Sequence, residues 1–265
     1  MVPAGGGSAA TATIAITPLV LTWNEAPNIS RCLERLTWAR RVVVLDSGST
    51  DETVAIARQF SNVDVLVRPF DDHTSQWNHG IGLVTTPWVL SLDADYVLSE
   101  AFIAELGAMP FAEDLDAVYA SFRYCILGRP LKASLYPPRA VLFRADRCRY
   151  EADGHTQRLV VPGRWSSMQA GIDHDDRKSL DRWFGSQAAY ARLEAEKLLS
   201  RQAATLGMQD RVRRTGVLGP PAVFFYTLVA RLAILDGWPG WYYTLQRTVA
   251  ETMLALHIWD RRLRG

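Results

Sequence analysis

Arg41-Val42-Val43-Val44-Leu45-Asp46-Ser47-Gly48-Ser49-Thr50-Asp51-Glu52 is the stretch that decides the fold. Val42 to Leu45 is apolar at every position, as in a parallel strand buried on both faces, not alternating like a strand with one wet face. The run stops at Asp46. The Ser, Gly, Thr and Asp that follow supply turn and cap chemistry ahead of a helix over 52–60, with Asp51 as its expected cap.

The same unit recurs on both sides. Upstream, Ile14 to Thr22 is an apolar, β-branched run followed by Trp23-Asn24-Glu25 and a helix that opens at Pro27, a favoured first-turn residue. Downstream, a strand over 63–67, a helix over 75–83 and a strand over 88–92 follow, the last ending in Asp93-Ala94-Asp95. This alternation predicts an α/β fold with a doubly wound, mainly parallel sheet flanked by helices, whose ligands sit beyond the carboxyl ends of the strands. Further strands over 117–123, 139–143 and 157–161 make the second half mixed. From Ser179 the period changes, and Leu180, Phe184, Ala188, Ala191, Ala195 and Leu198 mark one long amphipathic helix. Beyond a breaker-rich stretch at 216–221, two more helices are predicted, over 222–235 and 240–262. The expected organisation is a floppy tail at 1–13, a catalytic domain at 14–178 and a helical C-terminal extension at 179–265, with no repeat at a solenoid period.

Bulk properties narrow the function classes. At 265 residues the chain suits one main domain with an extension. A balance of 29 basic against 28 acidic residues lacks the excess that nucleic-acid binding calls for. Cys32, Cys125 and Cys148 are odd in number and show no C-x-x-C, so they read as reduced core residues in a cytoplasmic protein. The first residues lack the basic start and apolar stretch of a signal peptide, so export is not expected. Pro220 to Leu235 contains Arg231 and is shorter than the ~20 residues that cross a bilayer.

The chemistry centres on the acid pair. In an extended segment alternate side chains share a face, so Asp93 and Asp95 can converge while Ala94 points away. A hard divalent cation, Mg²⁺ or Mn²⁺, takes one or two such carboxylates and completes its shell with substrate phosphates and water. A metal so held neutralises charge that develops on a departing diphosphate.

Taken together, Thr22-Trp23-Asn24-Glu25, Asp46-Ser47-Gly48-Ser49-Thr50-Asp51 and Ser91-Leu92-Asp93-Ala94-Asp95 resemble glycosyltransferase family 2. The resemblance implies a GT-A fold, nucleotide contacts by Thr22, Asn24, Glu25 and Asp46, and metal contact by Asp95 with Asp93 nearby at the donor diphosphate. Gln76-Trp77-Asn78-His79-Gly80 matches a donor-side segment, with Trp77 where a basic residue is common; Gln76 and Asn78 are the donor-site candidates there. The second half is similar to the subgroup that includes lipopolysaccharide core glucosyltransferases, through Pro138-Arg139, Leu142-Phe143-Arg144, Asp153-Gly154-His155 and His174-Asp175-Asp176-Arg177-Lys178-Ser179-Leu180. By that likeness His174 completes the metal shell, and Arg177 and Lys178 clamp donor phosphates as fork and point charge. Inverting transfer needs a base to take the acceptor hydroxyl proton. Where the subgroup commonly has His-Glu this chain has His155-Thr156, which leaves Asp153 as the expected base, with His155 and Asp173 as alternatives.

The last 65 residues hold nine Arg and no Lys against four acids, and eight aromatics follow residue 221. That mixture suits an extension lying on an anionic membrane surface at the inner face of the cytoplasmic membrane, or packing on the core or between copies of the chain. The expected activity is inverting, metal-assisted transfer from a nucleotide-sugar, a UDP-sugar first, to a cell-envelope glycan or lipid-linked acceptor. The rivals are a sugar-nucleotide nucleotidyltransferase, which would carry a Gly-rich loop where Thr22-Trp23-Asn24-Glu25 has no glycine, and a nonenzymatic membrane-associated scaffold.

Overall fold

A computed structural model describes residues 16–133, 135–153, 156–200 and 206–264. In chain order the first half runs β1 (Ile16–Thr22), α1 (Ile29–Glu34), β2 (Val42–Asp46), α2 (Thr53–Ala57), β3 (Val63–Val67), α3 (His73–Gly82), β4 (Trp88–Asp93), β5 (Tyr96–Leu98) and α4 (Glu100–Ala108). Then come β6 (Leu115–Ala120), β7 (Phe122–Ile126), β8 (Arg129–Pro130), β9 (Arg139–Arg144), β10 (Arg149–Asp153), β11 (Thr156–Val160), β12 (Arg164–Ser167) and β13 (Ile172–His174). The C-terminal part holds α5 (Leu180–Ser200), α6 (Met208–Arg214), α7 (Gly219–Phe225) and α8 (Trp238–Arg264).

The main sheet has seven strands in the order β12-β6-β9-β4-β1-β2-β3. β3, β2, β1 and β4 run parallel, and β9 is antiparallel to both β4 and β6. This is the mixed, mainly parallel sheet flanked by helices that the sequence predicts. All of β2 is buried, and its alternation shows why every position is apolar: Val42 and Val44 enter one core, Val43 and Leu45 the other. Each such side chain is worth ~1.5–3 kcal/mol when fully buried. Gly80 is what lets α3 lie close on β1, because a Cβ there would sit 2.7 Å from Leu19 Cδ2.

Several elements depart from expectation. β5, α4, β8, β10, β12, β13 and α6 are additions, and the strand expected over 117–123 is two strands, β6 and β7. The stripe on α5 buries only its second half, since Ala191, Ala195 and Leu198 pack with Leu254 and Ile258 of α8. Leu180 and Phe184 stay exposed at 45% and 37% because the first turns of α5 overhang a cavity instead of packing on α8. The single helix expected over 222–235 breaks into α7, a π turn at Tyr226–Ala230 and a 3-10 turn at Ala233–Asp236. The break is at Leu232, whose φ of 59° is left-handed. Gly240 then opens α8 against this turn, where a Cβ would lie 1.8 Å from the Ala233 carbonyl oxygen.

Most arginines of the extension lie away from its exposed apolar tip. The exposed apolar tip, with Phe225, Val229, Leu232, Leu235 and Trp238, lies at the N-terminal end of α8. The arginine-rich end lies 27 residues away along that helix, ~40 Å. There Arg262 caps the carbonyls of Arg214 and Thr215, while Arg213 pairs with Glu194 at 2.9 Å and the buried Glu251 at 3.1 Å. Among the described residues no helix is long and apolar enough to cross a membrane.

Candidate active site

The site grows from strand ends. β1, β2 and β4 stop at Thr22, Asp46 and Asp93, and β1 pairs in register with both neighbours, Thr22 beside Asp46 and Leu21 beside Asp93. β13 then brings a distant segment to the same edge. His174 sits opposite Tyr96 of β5 and Tyr124 of β7, and the Asp175 amide donates to the Asp95 carbonyl at 3.0 Å. Residues 174–178 are thereby laid across the end of β4.

A cavity of about 770 Å³ opens there, within the ~300–1,000 Å³ range of small-molecule sites. Glu25, Asp93, Asp95, Lys178 and Arg182 are its charged lining. Lys178 is the hub: its Nζ lies 2.6 Å from Glu25 Oε1, 3.4 Å from Asp176 Oδ2 and 4.0 Å from Asp95 Oδ2. His174 Nε2 is 3.2 Å from Asp95 Oδ2. Its ring is packed edge-on by Tyr96, Tyr124 and Tyr136 at 4.8–5.3 Å between centroids. Asp95 Oδ1, His174 Nδ1 and Thr22 Oγ1 are buried polar atoms without a hydrogen-bond partner.

The two acids of the pair are electrostatically unlike. Burial, and next the charge of Asp95, pushes the Asp93 carboxyl up. Burial would raise Asp95 too, but His174 and Lys178 together hold it below the usual carboxylate range. Burial also raises Glu25 in spite of Lys178, and His174 is raised because Asp95, Asp93 and Asp176 outweigh the burial that would lower it. The pair meets through a turn at Ala94-Asp95 and not through strand alternation; Ala94 packs into the core as expected.

The other expected site residues divide into those that face the cavity and those spent on building it. Thr22 and Gln76 line it, and Gln76 donates to Ser47 Oγ at 3.1 Å and accepts from Arg68. Asn24 staples the β1 and β2 loops: from a left-handed φ of 54° its Oδ1 accepts the Thr50 amide at 2.7 Å. Asp46 accepts the Gly48 and Ser49 amides at 3.0 and 2.8 Å, so its carboxylate holds its own loop. Asp51 is not the N-cap it is expected to be: that position falls to Glu52, without a side-chain cap bond, while Asp51 accepts the Thr53 amide at 3.0 Å in an Asx-type turn just before α2. Asn78 gives both ends of its amide to the Tyr150 backbone, at 2.8 and 2.9 Å, and latches the β10–β11 hairpin to α3. Arg177 turns away from the cavity to Asp175 at 2.7 Å, alongside Arg31. Asp173, one of the alternatives for the base, is held bidentately by Arg123 at 2.6 and 2.9 Å. His155 and the side chain of Asp153 lie outside the described residues; the neighbouring Ala152 and Gln157 line cavities on this edge.

Sequence reasoning passed over Arg182, which stacks 5.3 Å from the Trp23 ring and donates to the Trp23 carbonyl at 2.8 Å. No spacing marks it, because Lys178 lies in the irregular segment before α5 and Arg182 in the first turn of that helix.

Among the described residues no group of three His, Cys, Asp or Glu side chains is arranged to hold a metal ion alone. The fit is to a cation shared with a ligand. Asp95 has a buried carboxylate oxygen with no partner, Oδ1, and lines a cavity to which Asp93 adds a second carboxylate. One or two carboxylates plus phosphates is what Mg²⁺ and Mn²⁺ take.

Residues 19–178 match the model of Glycosyl transferase family 2. An uncharacterized glycosyltransferase of Rickettsia felis is 36% identical over 113 residues, 42% of this chain and 39% of the relative. The matched stretch thus spans about two fifths of that relative's length. Lipopolysaccharide core biosynthesis glycosyltransferase LpsC of Rhizobium meliloti is 26% identical over 261 residues, 93% of this chain and 92% of the relative. Among solved structures, the mannosyltransferase PcManGT of Pyrobaculum calidifontis, in complex with GDP-Man and Mn²⁺, is similar with TM-score 0.48 at 13% identity, over 93% of this chain and 87% of that one. S. aureus TarS 1-349 in complex with UDP-GlcNAc gives 0.45 at 14% identity, over 89% and 81%.

Proposed function

We propose, since this chain belongs to glycosyl transferase family 2 and is a glycosyltransferase, that it moves a sugar from a nucleoside-diphosphate sugar to a cell-envelope glycan or lipid-linked acceptor, with inversion and with a divalent metal. The observation that carries the reading is the buried, unpartnered Oδ1 of Asp95, a residue that lines the same cavity as Glu25, Asp93 and Lys178. Three carboxylates against Lys178 and Arg182 make that cavity a poor host for a bare diphosphate. A divalent cation would reverse this balance: Asp95 with Asp93 would hold it together with the diphosphate, His174 standing behind Asp95 at 3.2 Å, and there it would supply charge neutralisation for the leaving group.

The chain's own residues do the rest. Thr22, Glu25 and Gln76 border the nucleoside part of the cavity, and Glu25 is aimed by Lys178 and Asn28. Lys178 is a point charge for phosphate oxygens, and Arg177 supports it indirectly by fixing Asp175. The acceptor hydroxyl attacks the anomeric carbon from the side away from the diphosphate, its proton taken by Asp153 or His155 on the β10–β11 hairpin. The family assignment sets aside a sugar-nucleotide nucleotidyltransferase. A lipopolysaccharide core precursor is the acceptor class that the likeness to LpsC over 93% of this chain suggests, and a UDP-sugar is the first donor to try. The catalytic unit is taken as residues 14–178, with 179–265 as its helical extension.

Thermal unfolding with a panel of nucleotide sugars, with and without Mn²⁺, tests the reading. One donor should raise the melting temperature only with metal, and that donor should be turned over by the protein but not by Asp95→Asn. Stabilisation by none of them, or a donor that binds equally in EDTA, contradicts it.

The exposed tip before α8 is proposed as the part that meets an anionic membrane surface, placing the enzyme at the inner face of the cytoplasmic membrane. Leu235 and Phe225 are 67% and 62% exposed, and Arg129 stacks 5.4 Å from the Trp238 ring beside them. Aromatic and aliphatic groups rimmed by guanidinium suit the headgroup region. Co-sedimentation with phosphatidylglycerol vesicles should fall at least ~10-fold for Leu235→Asp with Trp238→Asp. Concentration-dependent dimerisation in place of vesicle binding contradicts it.

A further inference from the structure

A second cavity, of about 370 Å³, lies on the other side of Asp93, which lines both it and the larger one. Its walls are aromatic: Tyr96, Tyr119, Phe122 and Tyr150 stand around it. Its charges are two guanidiniums, Arg139 and Arg158, against the single shared carboxylate of Asp93. Both arginines are exposed at the mouth, and no ion pair among the described residues engages either of them. Arg139 is placed by the Tyr136 ring, 4.8 Å from its guanidinium carbon. Arg158 faces Glu151 across the hairpin, but that carboxylate pairs with Arg149 at 3.4 Å. Gln157 beside it adds an amide to the same wall.

We propose that this second cavity is an acceptor subsite for a sugar carrying a carboxylate or phosphate group, with the ring against the tyrosine walls and the anion in the fork of Arg139 and Arg158. An aromatic-walled pocket with a few convergent polar groups is the usual form of a small-molecule site. Guanidinium forks match carboxylate and phosphate geometry bidentately, which a neutral sugar cannot exploit. The shared wall at Asp93 sets the acceptor hydroxyl beside the donor cavity, so this assignment rests on the donor reading above. It also gives the chain a basis for choosing its acceptor, since the two arginines leave an anionic substituent paired and a neutral one with nothing to offer them.

Ligand-observed NMR with the full chain, saturated with diamagnetic Mg²⁺ and the nucleoside diphosphate identified by the thermal panel, tests this with three probes: glucuronate, glucose 6-phosphate and glucose. At least one anionic probe is expected to bind ~10-fold or more tightly than glucose, and Arg139→Ala with Arg158→Ala to erase that difference while metal-dependent nucleotide binding persists. Which anionic probe prevails assigns carboxylate or phosphate. Equal or absent binding of all three, or an anionic preference that survives the double substitution, overturns the subsite. Loss of nucleotide binding with the anionic preference intact would instead count against the donor reading and leave the subsite standing.

Discussion

The two cavities that meet at Asp93 are built on opposite principles. On the β1–β3 side the lining charges are already paired with one another: Lys178 holds Glu25 at 2.6 Å, and His174 holds Asp95 at 3.2 Å. On the β6–β9 side the walls are aromatic, and Arg139 and Arg158 carry charge without an ion pair among the described residues. The difference teaches what each side can accept. A preassembled, net acidic cluster needs a cation before it can take a diphosphate, whereas a greasy pocket with open guanidiniums is ready for an anion as it stands.

That contrast can be broken by substitution, beginning with the largest effect. Asp95→Asn should lower turnover by ~10²–10³-fold with the melting temperature little changed, measured by nucleotide release in Mn²⁺. Lys178→Met leaves Glu25 buried without its partner, so it should cost ~2 kcal/mol, discounted from the ~3–5 of a fully buried pair, as read by urea unfolding. The same change should raise the donor KM; an unchanged KM would mean that Lys178 only holds the cluster together. Asn78→Ala should also cost ~1–3 kcal/mol, since it leaves the Tyr150 backbone groups unpaired, yet metal-dependent nucleotide binding by calorimetry should survive. Arg177→Ala is the mildest, ~1 kcal/mol or less on stability. A loss of nucleotide affinity as large as that of Lys178→Met would put Arg177 back at the phosphates.

Two contrasts, Lys178 against Arg177 and Gln76, which lines the cavity, against Asn78, which does not, are where the sequence stops being legible. The strands of the first half could be read because a fully apolar run such as Val42 to Leu45 has few alternatives, and their ends announce ligand chemistry. Glu25, Asp93 and Asp95 stand at those ends, His174 and Lys178 come from the likeness to the lipopolysaccharide core subgroup, and the fold gathers all five on one edge. Arg177 and Lys178 are adjacent in an irregular segment with no period, so which one faces the cavity is decided by Asp175, which Arg31 engages from 144 residues away, and by Asn28, which takes the Arg177 amide from 149 residues away. Asn78 looks like a binding residue until the Tyr150 backbone is beside it. β12 is exposed at all four positions and α6 buries none of its residues, so neither leaves a hydrophobic pattern to read. The break at Leu232 carries neither glycine nor proline, so no residue type marks it in the sequence; Gly240 packs close on Ala233 just beyond it.

The central claim is that Asp95 shares a divalent cation with the diphosphate of the donor. A crystal of the protein grown with Mn²⁺ and the donor nucleotide, measured at a wavelength where manganese scatters anomalously, tests it most directly. An anomalous peak within ~2.0–2.6 Å of a carboxylate oxygen of Asp95 and of a diphosphate oxygen, with Lys178 alongside, is the predicted result. A nucleotide seated in the cavity with no such peak, or manganese bound away from Asp95, would contradict it.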